Sequence, residues 1–288
     1  MATKNVKVKM QQRNDTASNW ETKNPVLDVG EFGYDTTNGK LKIGDGVTPW
    51  NSLPTITTTR FSFATAGWGD IAQIAASGNA QKYFNVGDEK TIELSTGESV
   101  TLVILGFNHD DLTAGGKAPI SIGMKNLLST NYPMNASNVN AGGWNESVMR
   151  KSTMATLLSQ LPKDLQAVIK PVNKKATAGG VSTTIVTSSD KLFLLSAIEL
   201  TGDTIAPANA AGYIDEGEQY EYYKTVVDGT TAAGRIKYSA NGDGAACNWW
   251  LRSPNTTSST YFVYVYYSGT VRGYSASYAF GVSFGFCI

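Results

Sequence analysis

The sequence predicts an α+β fold in which helices and strands occur in separate blocks along the chain. Two patterns typical of β-hairpins come first, near residues 30–43 and 90–105. Apolar residues with helical spacing follow at 145–169, and residues 253–288 have the short-range alternation of strands. A regular β-α-β alternation would instead indicate a parallel sheet, so the block order favours α+β.

Composition excludes several classes of protein. The 288 residues include 24 Lys plus Arg and 24 Asp plus Glu, so the formal net charge is zero. A nucleic-acid-binding protein needs a basic surface to displace counterions from phosphates, so we expect no nucleic-acid partner. No apolar run is long enough to span a membrane, and residues 1–16 lack the apolar segment of a signal peptide. We therefore expect no membrane insertion.

Residues 1–54 have the pattern of a small β module. Asn38-Gly39 lies between two short runs of strand character, and this pair favours a two-residue hairpin turn because both positions accept a positive φ. In the second run, Leu41 and Ile43 alternate with lysines, as in a half-buried strand. So short a segment can hardly close a core alone, and we expect it to pack on copies of itself.

The string GEFGYDTTNGKLKIGDGVTPWNSLP, residues 30–54, resembles the N-terminal module of phage tail-fibre and tropism-determinant proteins. The stretch around Asn19-Trp20 and residues 24–27 fits the same module. The resemblance covers most of residues 6–54 and implies a β module that trimerises and attaches to the virion. We place this module at 1–54 and a Thr-rich linker at 55–63.

The segment from residue 64 onwards carries the strongest patterns for regular structure. Asp70 precedes an apolar-periodic run that ends at Gly78, which predicts a short helix with an Asp N-cap and a Gly C-cap. Pro162 interrupts the next periodic run and divides it into two helices. The expected elements are, in order, a helix near 70–77, a hairpin of 90–94 with 99–105, helices near 146–160 and 162–169, a buried strand at 191–195, and long loops over 201–246.

The composition of residues 253–288 points to a binding surface. This segment contains no Lys, Glu, Gln, Met or Trp, and its single charge is Arg272. Antibody combining sites have a similar composition, because Tyr supplies rigid amphipathic area while Ser, Gly and Asn adapt their hydrogen bonds. The six tyrosines are Tyr261, Tyr264, Tyr266, Tyr267, Tyr274 and Tyr278.

Alternation of residue types within this segment predicts which face of the sheet the tyrosine side chains occupy. In a strand, Val263 and Val265 would face the core, while Tyr264 and Tyr266 would face the other side. An ordinary Tyr-rich sheet with the rings packed under loops has the same alternation. Composition alone leaves these two interpretations open.

The strings CNWWLRSP, at 247–254, and GVSFGFCI, at 281–288, resemble the C-type-lectin-fold variable proteins of diversity-generating retroelements. Residues 106–112 and 144–147 extend the resemblance, which covers about 64–288. It implies a C-type-lectin-like, formylglycine-generating-enzyme-like domain whose variable region is about 253–288. In that family, template adenines are rewritten, and AAC codons changed in this way cannot encode the five missing residue types.

The resemblance also implies a role for each position of the segment. The implied scaffold residues are Trp249, Trp250, Leu251, Arg252, Phe262, Val265, Gly269, Gly281, Val282, Phe284 and Phe286. The implied ligand contacts are Thr256, Thr257, Ser258, Thr260, Tyr261, Tyr264, Tyr266, Tyr267, Ser268, Thr270, Arg272, Tyr274, Ser275, Tyr278 and Phe280. Val271 stands where such proteins often carry Trp, so no role is carried over to it.

Other groups of polar residues favour structural roles. His109-Asp110-Asp111 has no second histidine for a metal site and no marked triad partner, so we expect a capped turn. The acidic group Asp215, Glu216, Glu218 and Glu221 has a common spacing and fits a solvated loop, although paired carboxylates can hydrolyse glycosides and carboxylates can bind Ca²⁺. Cys247 and Cys287 are too few for a disulfide framework, and two buried thiols are favoured over a pair.

The sequence thus predicts a phage tail-fibre receptor-binding protein, made in the host cytoplasm and located in the virion. It is expected to form a homotrimer, to join other virion tail proteins through the N-terminal module, and to bind a protein or glycan receptor on the bacterial surface. No catalytic residue, cofactor or metal is expected. Two alternatives stay open: a fibre-borne polysaccharide depolymerase that uses the acidic loop, and a structural virion or cell-surface protein without a variable surface.

Overall fold

The computed structural model describes residues 12–56, 62–202 and 215–288. The chain divides into two compact units, Met1–Phe61 and Ser62–Ile288, and the combination of helices with several small sheets confirms the α+β class. Within the described ranges, none of the helices has the length and apolarity needed to cross a membrane. Part of the Thr-rich stretch expected as a linker, residues 57–61, lies outside the described residues.

The N-terminal unit is a four-stranded sheet with one short helix. Its sheet order is β1-β2-β3-β4, with β1 parallel to β2 and the other pairs antiparallel. Trp20 and Trp50 stack with their ring centroids 4.0 Å apart and form a small core with Leu27 and Leu53. The elements are β1 Arg13–Asp15, α1 Ala17–Lys23, β2 Phe32–Asp35, β3 Lys40–Ile43 and β4 Thr55–Ile56.

The β2–β3 hairpin differs from the prediction at its turn. Asp35 pairs with Lys40, so the loop has four residues, 36–39, instead of two. The Asp35 carboxylate accepts hydrogen bonds from the backbone N–H groups of Thr37 and Asn38. Because this side chain closes the turn, Asn38 does not adopt the positive φ that a two-residue turn requires, and Gly39 does, at 65°.

The C-terminal unit is built around a five-stranded antiparallel sheet in the order β11-β16-β7-β6-β5. Two smaller sheets pair β9 with β10 and β8 with β15. A three-stranded sheet has the order β12-β13-β14. The strands are β5 Glu89–Glu93, β6 Ser99–Phe107, β7 Ile120–Met124, β8 Tyr132–Pro133, β9 Val172–Gly179, β10 Ser182–Asp190, β11 Phe193–Leu194, β12 Trp249–Pro254, β13 Tyr261–Val265, β14 Val271–Ser275, β15 Ala279–Phe280 and β16 Phe284–Cys287.

Short helices surround these sheets. They are α2 Trp68–Ala76, α3 Ala80–Tyr83, α4 Gly143–Glu146, α5 Met154–Gln160, α6 Lys163–Val168, α7 Ala197–Thr201 and α8 Glu221–Thr225. A π-helical turn, Met149–Thr153, runs into α5, and 3₁₀ turns lie at Ala233–Arg235 and Ala240–Gly242.

The last strand, β16, lies inside the central sheet, between β7 and β11. Phe284, Phe286 and Cys287 are therefore buried, and residues 253–288 begin at the edge strand β12 and end in the core. The β5–β6 hairpin and the division of α5 from α6 at Pro162 are confirmed. The strand expected at 191–195 is limited to β11.

The predicted Asp N-cap of the first long helix is wrong. α2 begins at Trp68, with Gly67 at the N-cap position and no side-chain cap, so Asp70 lies within the first turn. A carboxylate there still stabilises the helix through the positive end of its dipole. Gly78 follows the helix with a φ of 71°, as expected of a glycine at a helix C-terminus.

Candidate functional site

The candidate site is the sheet β12-β13-β14, to which residues 253–288 contribute most of the strands. The register aligns Trp250 of β12, Tyr264 of β13 and Arg272 of β14 in one row. Val263 and Val265 are fully buried, which agrees with the alternation expected for β13. One face of this hairpin therefore lies on the core.

The opposite face is partly covered as well. Tyr264 is only 4% exposed, although its alternation predicted an outward ring. Its ring centroid lies 4.8 Å from Phe280 of β15 and 6.0 Å from Trp250. The Phe280 ring also lies 4.8 Å from Trp250, so Tyr264 belongs to a buried aromatic layer beneath the surface.

Exposed tyrosines stand on this layer. Tyr274 and Tyr278 are 40% and 55% exposed, and their ring centroids lie 5.1 Å apart. Tyr274 lies 5.4 Å from Phe280 and 5.8 Å from Tyr264, and Tyr278 lies 5.3 Å from Phe280. Edge-on and tilted aromatic contacts of this kind fix ring positions, so these tyrosines present pre-oriented area to solvent.

The turn between β13 and β14 carries further candidate contacts. Gly269 has a φ of 85°, and a Cβ added there would lie 1.9 Å from the carbonyl oxygen of Ala232. Arg235 donates from Nε to the Gly269 carbonyl at 2.7 Å, so residues 232–235 hold the turn from behind. The Arg272 guanidinium lies 4.6 Å from the centroid of the Tyr266 ring, within the range of a cation–π contact.

The structure divides the fifteen predicted contacts by depth. The exposed ones are Thr257, Tyr261, Tyr267, Ser268, Thr270, Arg272, Tyr274 and Tyr278, and the half-buried ones are Ser258, Thr260, Tyr266 and Ser275. The buried ones are Thr256, Tyr264 and Phe280. The prediction that these three contact the ligand directly is therefore wrong, and they instead pack beneath the exposed residues. We call the exposed and half-buried set the tyrosine surface. The predicted scaffold positions are buried, and Val271 is too.

A buried network of charges lies behind β12. Arg252, which is fully buried, donates all five of its N–H groups: from Nη2 to Glu199 Oε1 at 2.7 Å, from Nη1 to Glu199 Oε2, and to the carbonyls of Lys175, Leu194 and Glu216. Lys174 bridges Glu199 and Asp110, with Nζ 2.5 Å and 2.6 Å from their oxygens. Two cations and two carboxylates thus neutralise each other, as buried charges require.

Asp110 lies at the far end of this network. Its carboxylate accepts hydrogen bonds from Tyr220 Oη, at 2.8 Å, and from Ser121 Oγ, at 2.6 Å. Burial alone would raise its pKa, but Lys174, His109 and the hydrogen bond from Ser121 hold the pKa of Asp110 below its usual range. Burial and the neighbouring Asp110 raise the pKa of the Cys287 thiol, which keeps it protonated and unreactive. The charged groups of this network thus bond to one another and to neighbouring groups of the fold.

Family comparisons match one segment in each of the two compact units, Met1–Phe61 and Ser62–Ile288. The model of a family described as a domain of unknown function, DUF6273, matches residues 122–288, more than half of the chain. The chain belongs to this family. The DUF6273 match runs from β7 to β16 and contains the whole tyrosine surface. The model of the major tropism determinant N-terminal domain matches residues 10–48. No curated protein and no solved structure matches the chain.

The acidic loop of this DUF6273 chain is only partly solvated. Asp215, Glu218 and Glu221 are exposed, as expected, but Glu216 is fully buried and the prediction of a solvated loop is wrong for it. Glu216 accepts hydrogen bonds from the Thr177 backbone N–H, at 2.8 Å, and from the Ser253 hydroxyl. Burial raises its pKa to about 7, although the two donors and Arg252 oppose the shift.

Glu216 therefore predicts a pH dependence of stability. Between its ordinary pKa of 4.5 and its folded value near 7, the folded chain keeps the proton that the unfolded chain loses, so the free energy of unfolding falls as pH rises. In Glu216→Gln, the amide oxygen can still accept from the Thr177 N–H and the amide NH2 can donate to Ser253 Oγ, without a charge. We expect its Tm to exceed that of the natural chain by ~10 °C at pH 8 and to lie within ~3 °C of it at pH 5.

The matched control for this prediction is Glu218→Gln, the same change at an exposed carboxyl group two residues away. Its Tm should follow that of the natural chain at both pH values. Thermal unfolding followed by circular dichroism measures all three proteins. Equal Tm differences for Glu216→Gln at pH 5 and pH 8 would contradict the assignment.

The histidine and the two cysteines singled out in the sequence contact groups of the fold or lie free. His109 stacks on Tyr220 with ring centroids 4.0 Å apart, and burial lowers its pKa. Cys247 and Cys287 are both free thiols, but Cys247 is only half-buried, so the expectation of two buried thiols holds for Cys287. In the described part of the chain, no three His, Cys, Asp or Glu residues group closely enough to hold a metal ion.

Some residues that build the site carried no signal in the sequence. Asn140 is fully buried and donates to the loop between β12 and β13, yet it stands in a polar stretch, 135–140, that indicates only a turn. Glu199 and Lys174 have both apolar and polar neighbours in the sequence. No period marks their side chains as buried, so both residues have the pattern of surface positions. A Ser three residues before Glu199 was the one usable sign, since Ser196 and Glu199 form a capping box at α7.

Proposed function

We propose that this chain is a phage receptor-binding protein that recognises a ligand on the host bacterium through the tyrosine surface. The observation that carries the proposal is the seating of exposed Tyr274 and Tyr278 on the buried layer of Tyr264 and Phe280. Rigid tyrosines surrounded by small hydroxyl side chains provide affinity with little loss of side-chain entropy. The match of residues 10–48 to a major tropism determinant domain supports a role in phage tropism and a location in the virion.

The C-type-lectin-like fold and its diversification belong to the same proposal. The burial of the family-derived scaffold positions and the insertion of β16 into the central sheet support a fixed framework with an exchangeable surface. The absence of the five residue types that rewritten AAC codons cannot encode supports diversification. A near-copy of the 3′ end of the gene, beside a gene for a reverse transcriptase, is the expected genomic context.

The mechanism is recognition without chemistry. Asp110 and Glu199 are bound by Lys174 and Arg252, and Glu216 is bound by Ser253 and the Thr177 backbone, so these carboxylates serve the fold. A depolymerase would instead need two carboxylates open to a sugar between them. We therefore favour binding over catalysis, with the receptor a protein or a glycan.

Self-association through the N-terminal unit supports multivalent display. Phe32, Tyr34 and Ile43 are 38–40% exposed on one face of the sheet, while Asp35 and Lys42 on the opposite face are buried. An exposed apolar sheet face is typical of an interaction site, and we propose that copies of the module pack there in a homotrimer. Three linked binding surfaces raise the overall avidity for the host, because the first contact increases the effective concentration for the next. The assembled module would then join other virion tail proteins.

Light scattering tests the homotrimer. Phe32→Ser combined with Ile43→Ser should convert a threefold mass into the monomer mass, because it removes the apolar face. Val29→Ser combined with Val47→Ser is the control, since these valines are also exposed, at 81% and 77%, but lie in turns off that face. A natural chain that is monomeric would overturn the assembly and leave the binding proposal standing.

Adhesion to host cells tests the binding function. Tyr267, Tyr274 and Tyr278 changed together to Ala should reduce adhesion at least ~100-fold, since central aromatic contacts are each worth ~2 kcal/mol. The control changes Tyr83 and Tyr238 to Ala, which are 51% and 44% exposed and lie outside the tyrosine surface. Unchanged adhesion of the triple variant would reject the proposal, and release of oligosaccharide from host capsule would favour the depolymerase.

A further inference from the structure

A fully buried asparagine, Asn140, holds the loop between β12 and β13. The two N–H groups of its side-chain amide are shared among the carbonyl oxygens of Asn255, Ser258 and Tyr261, at 3.2, 2.8 and 2.7 Å. Its backbone N–H donates to the Ser259 carbonyl at 2.9 Å. One residue thus binds the loop and the first residue of β13, together residues 255–261, at four points.

Asn140 is itself fixed from the other side. Its side-chain oxygen accepts from the Gly180 backbone N–H at 2.7 Å, and its carbonyl accepts from the Gly143 N–H at 2.9 Å. Gly179 packs so closely that a Cβ added to it would lie 1.8 Å from the Asn140 carbonyl oxygen. The β9–β10 turn therefore sets the position of Asn140, and Asn140 sets the position of the loop.

The four loop atoms that accept these hydrogen bonds from Asn140 are all main-chain carbonyl oxygens. The hold consequently does not depend on which side chains stand at residues 256–260. Three residues of the tyrosine surface, Thr257, Ser258 and Thr260, lie in that range, and Ser259 between them is exposed. A hold through carbonyl oxygens fixes the path of a loop while leaving its side chains exchangeable.

We propose that Asn140 is a positioning residue that presets the main chain of loop 255–261 as a sequence-tolerant recognition loop. The role as a recognition loop rests on the proposed function, whereas the presetting of the main chain does not. Asn140 itself lies beneath the surface and contacts no ligand. The loop then adds a second contact element beside the exposed tyrosines.

Hydrogen–deuterium exchange of the full chain, followed by mass spectrometry, tests this proposal. Asn140→Asp keeps the shape and the acceptor for Gly180, but it removes both side-chain donors and turns an anion toward three carbonyls. Exchange of the amides in 255–261 should rise at least ~10-fold, the equivalent of about one net hydrogen bond. Amides of β6 and β7 should keep their natural exchange rates.

Asn138→Asp is the matched control, because Asn138 is exposed and its Oδ1 accepts from Ser275 Oγ at 2.7 Å, a bond that an Asp oxygen can also accept. Unchanged exchange in 255–261 of Asn140→Asp would overturn the proposal, and so would an equal rise across the whole chain, which would make Asn140 a general core residue.

The tolerance of the loop has its own test. Ser259→Tyr and Thr257→Tyr replace exposed side chains without changing an atom that bonds to Asn140. Thr257→Tyr also removes the hydrogen bond from Thr257 Oγ1 to Asn255 Oδ1, which leaves the Thr257 backbone N–H bond to the same oxygen. Exchange in 255–261 should therefore stay within ~3-fold of the natural chain. A larger rise in both variants would overturn the tolerance, even where Asn140→Asp does not fold. Exchange is measured without any ligand, so this result stands apart from the adhesion assay, whose failure would reject only the proposed function.

Discussion

Replacing Arg252 with Met is expected to lower the free energy of unfolding by ~3–5 kcal/mol, the largest effect of any single substitution considered for this chain. All five N–H donors of Arg252 are bonded in a site that is fully closed to water. Met fills a similar volume but leaves Glu199 with Lys174 as its single counter-charge. Three backbone carbonyls also lose the partner that Arg252 supplied.

Urea titration at pH 7 measures this loss, and Arg272→Met is the matched control. Arg272 is an exposed arginine on the same sheet, so its change should alter the unfolding free energy by less than ~0.5 kcal/mol. Arg252→Lys should also be strongly destabilising, since an ammonium group donates three hydrogen bonds and cannot bind Glu199 in two places. If Arg252→Met were as mild as Arg272→Met, the network would contribute nothing net to stability.

This network also marks where sequence patterns stop being informative. Lys174, Glu199 and Glu216 are residue types that normally face water, and their buried positions depend on partners far away in the chain. Glu216, for example, pairs with Ser253 and with the backbone of Thr177. No local period carries that information, so the sequence indicates a solvated acidic loop where the structure has a buried carboxyl.

Local sequence patterns predicted the structure correctly where residues of a single element determine it. The two apolar runs at 90–94 and 99–105 predicted a hairpin, and the break at Pro162 predicted a helix boundary, and the structure confirms both. The prediction of a two-residue turn at Asn38-Gly39 was wrong, because the side chain of Asp35, outside the pair, closes a longer turn with its hydrogen bonds. The candidate site follows the same rule: Val263 and Val265 face the core as their alternation predicts, but the covering of Tyr264 by Phe280 is a tertiary contact.

That tertiary contact leads to the second large effect, a contrast between two tyrosines of one aromatic cluster. Tyr264→Ala should lower the free energy of unfolding by ~3 kcal/mol, because it opens a cavity between Trp250 and Phe280. Tyr274→Ala should lower it by less than ~1 kcal/mol, because this ring is 40% exposed and its removal leaves no enclosed space. Sequence alternation and composition treat the two residues alike, so the contrast tests the depth that the fold gives them.

Urea titration of both variants and an adhesion assay on the same samples would separate stability from binding. Tyr264→Phe should restore most of the stability, since its ring fills the same space, and it serves as the control for the cavity. Tyr274→Ala should retain its fold and weaken adhesion, because its ring belongs to the exposed surface. Equal losses of stability for Tyr264→Ala and Tyr274→Ala would mean that the tyrosines form one continuous core, and the division between a buried layer and a surface that binds would then fail.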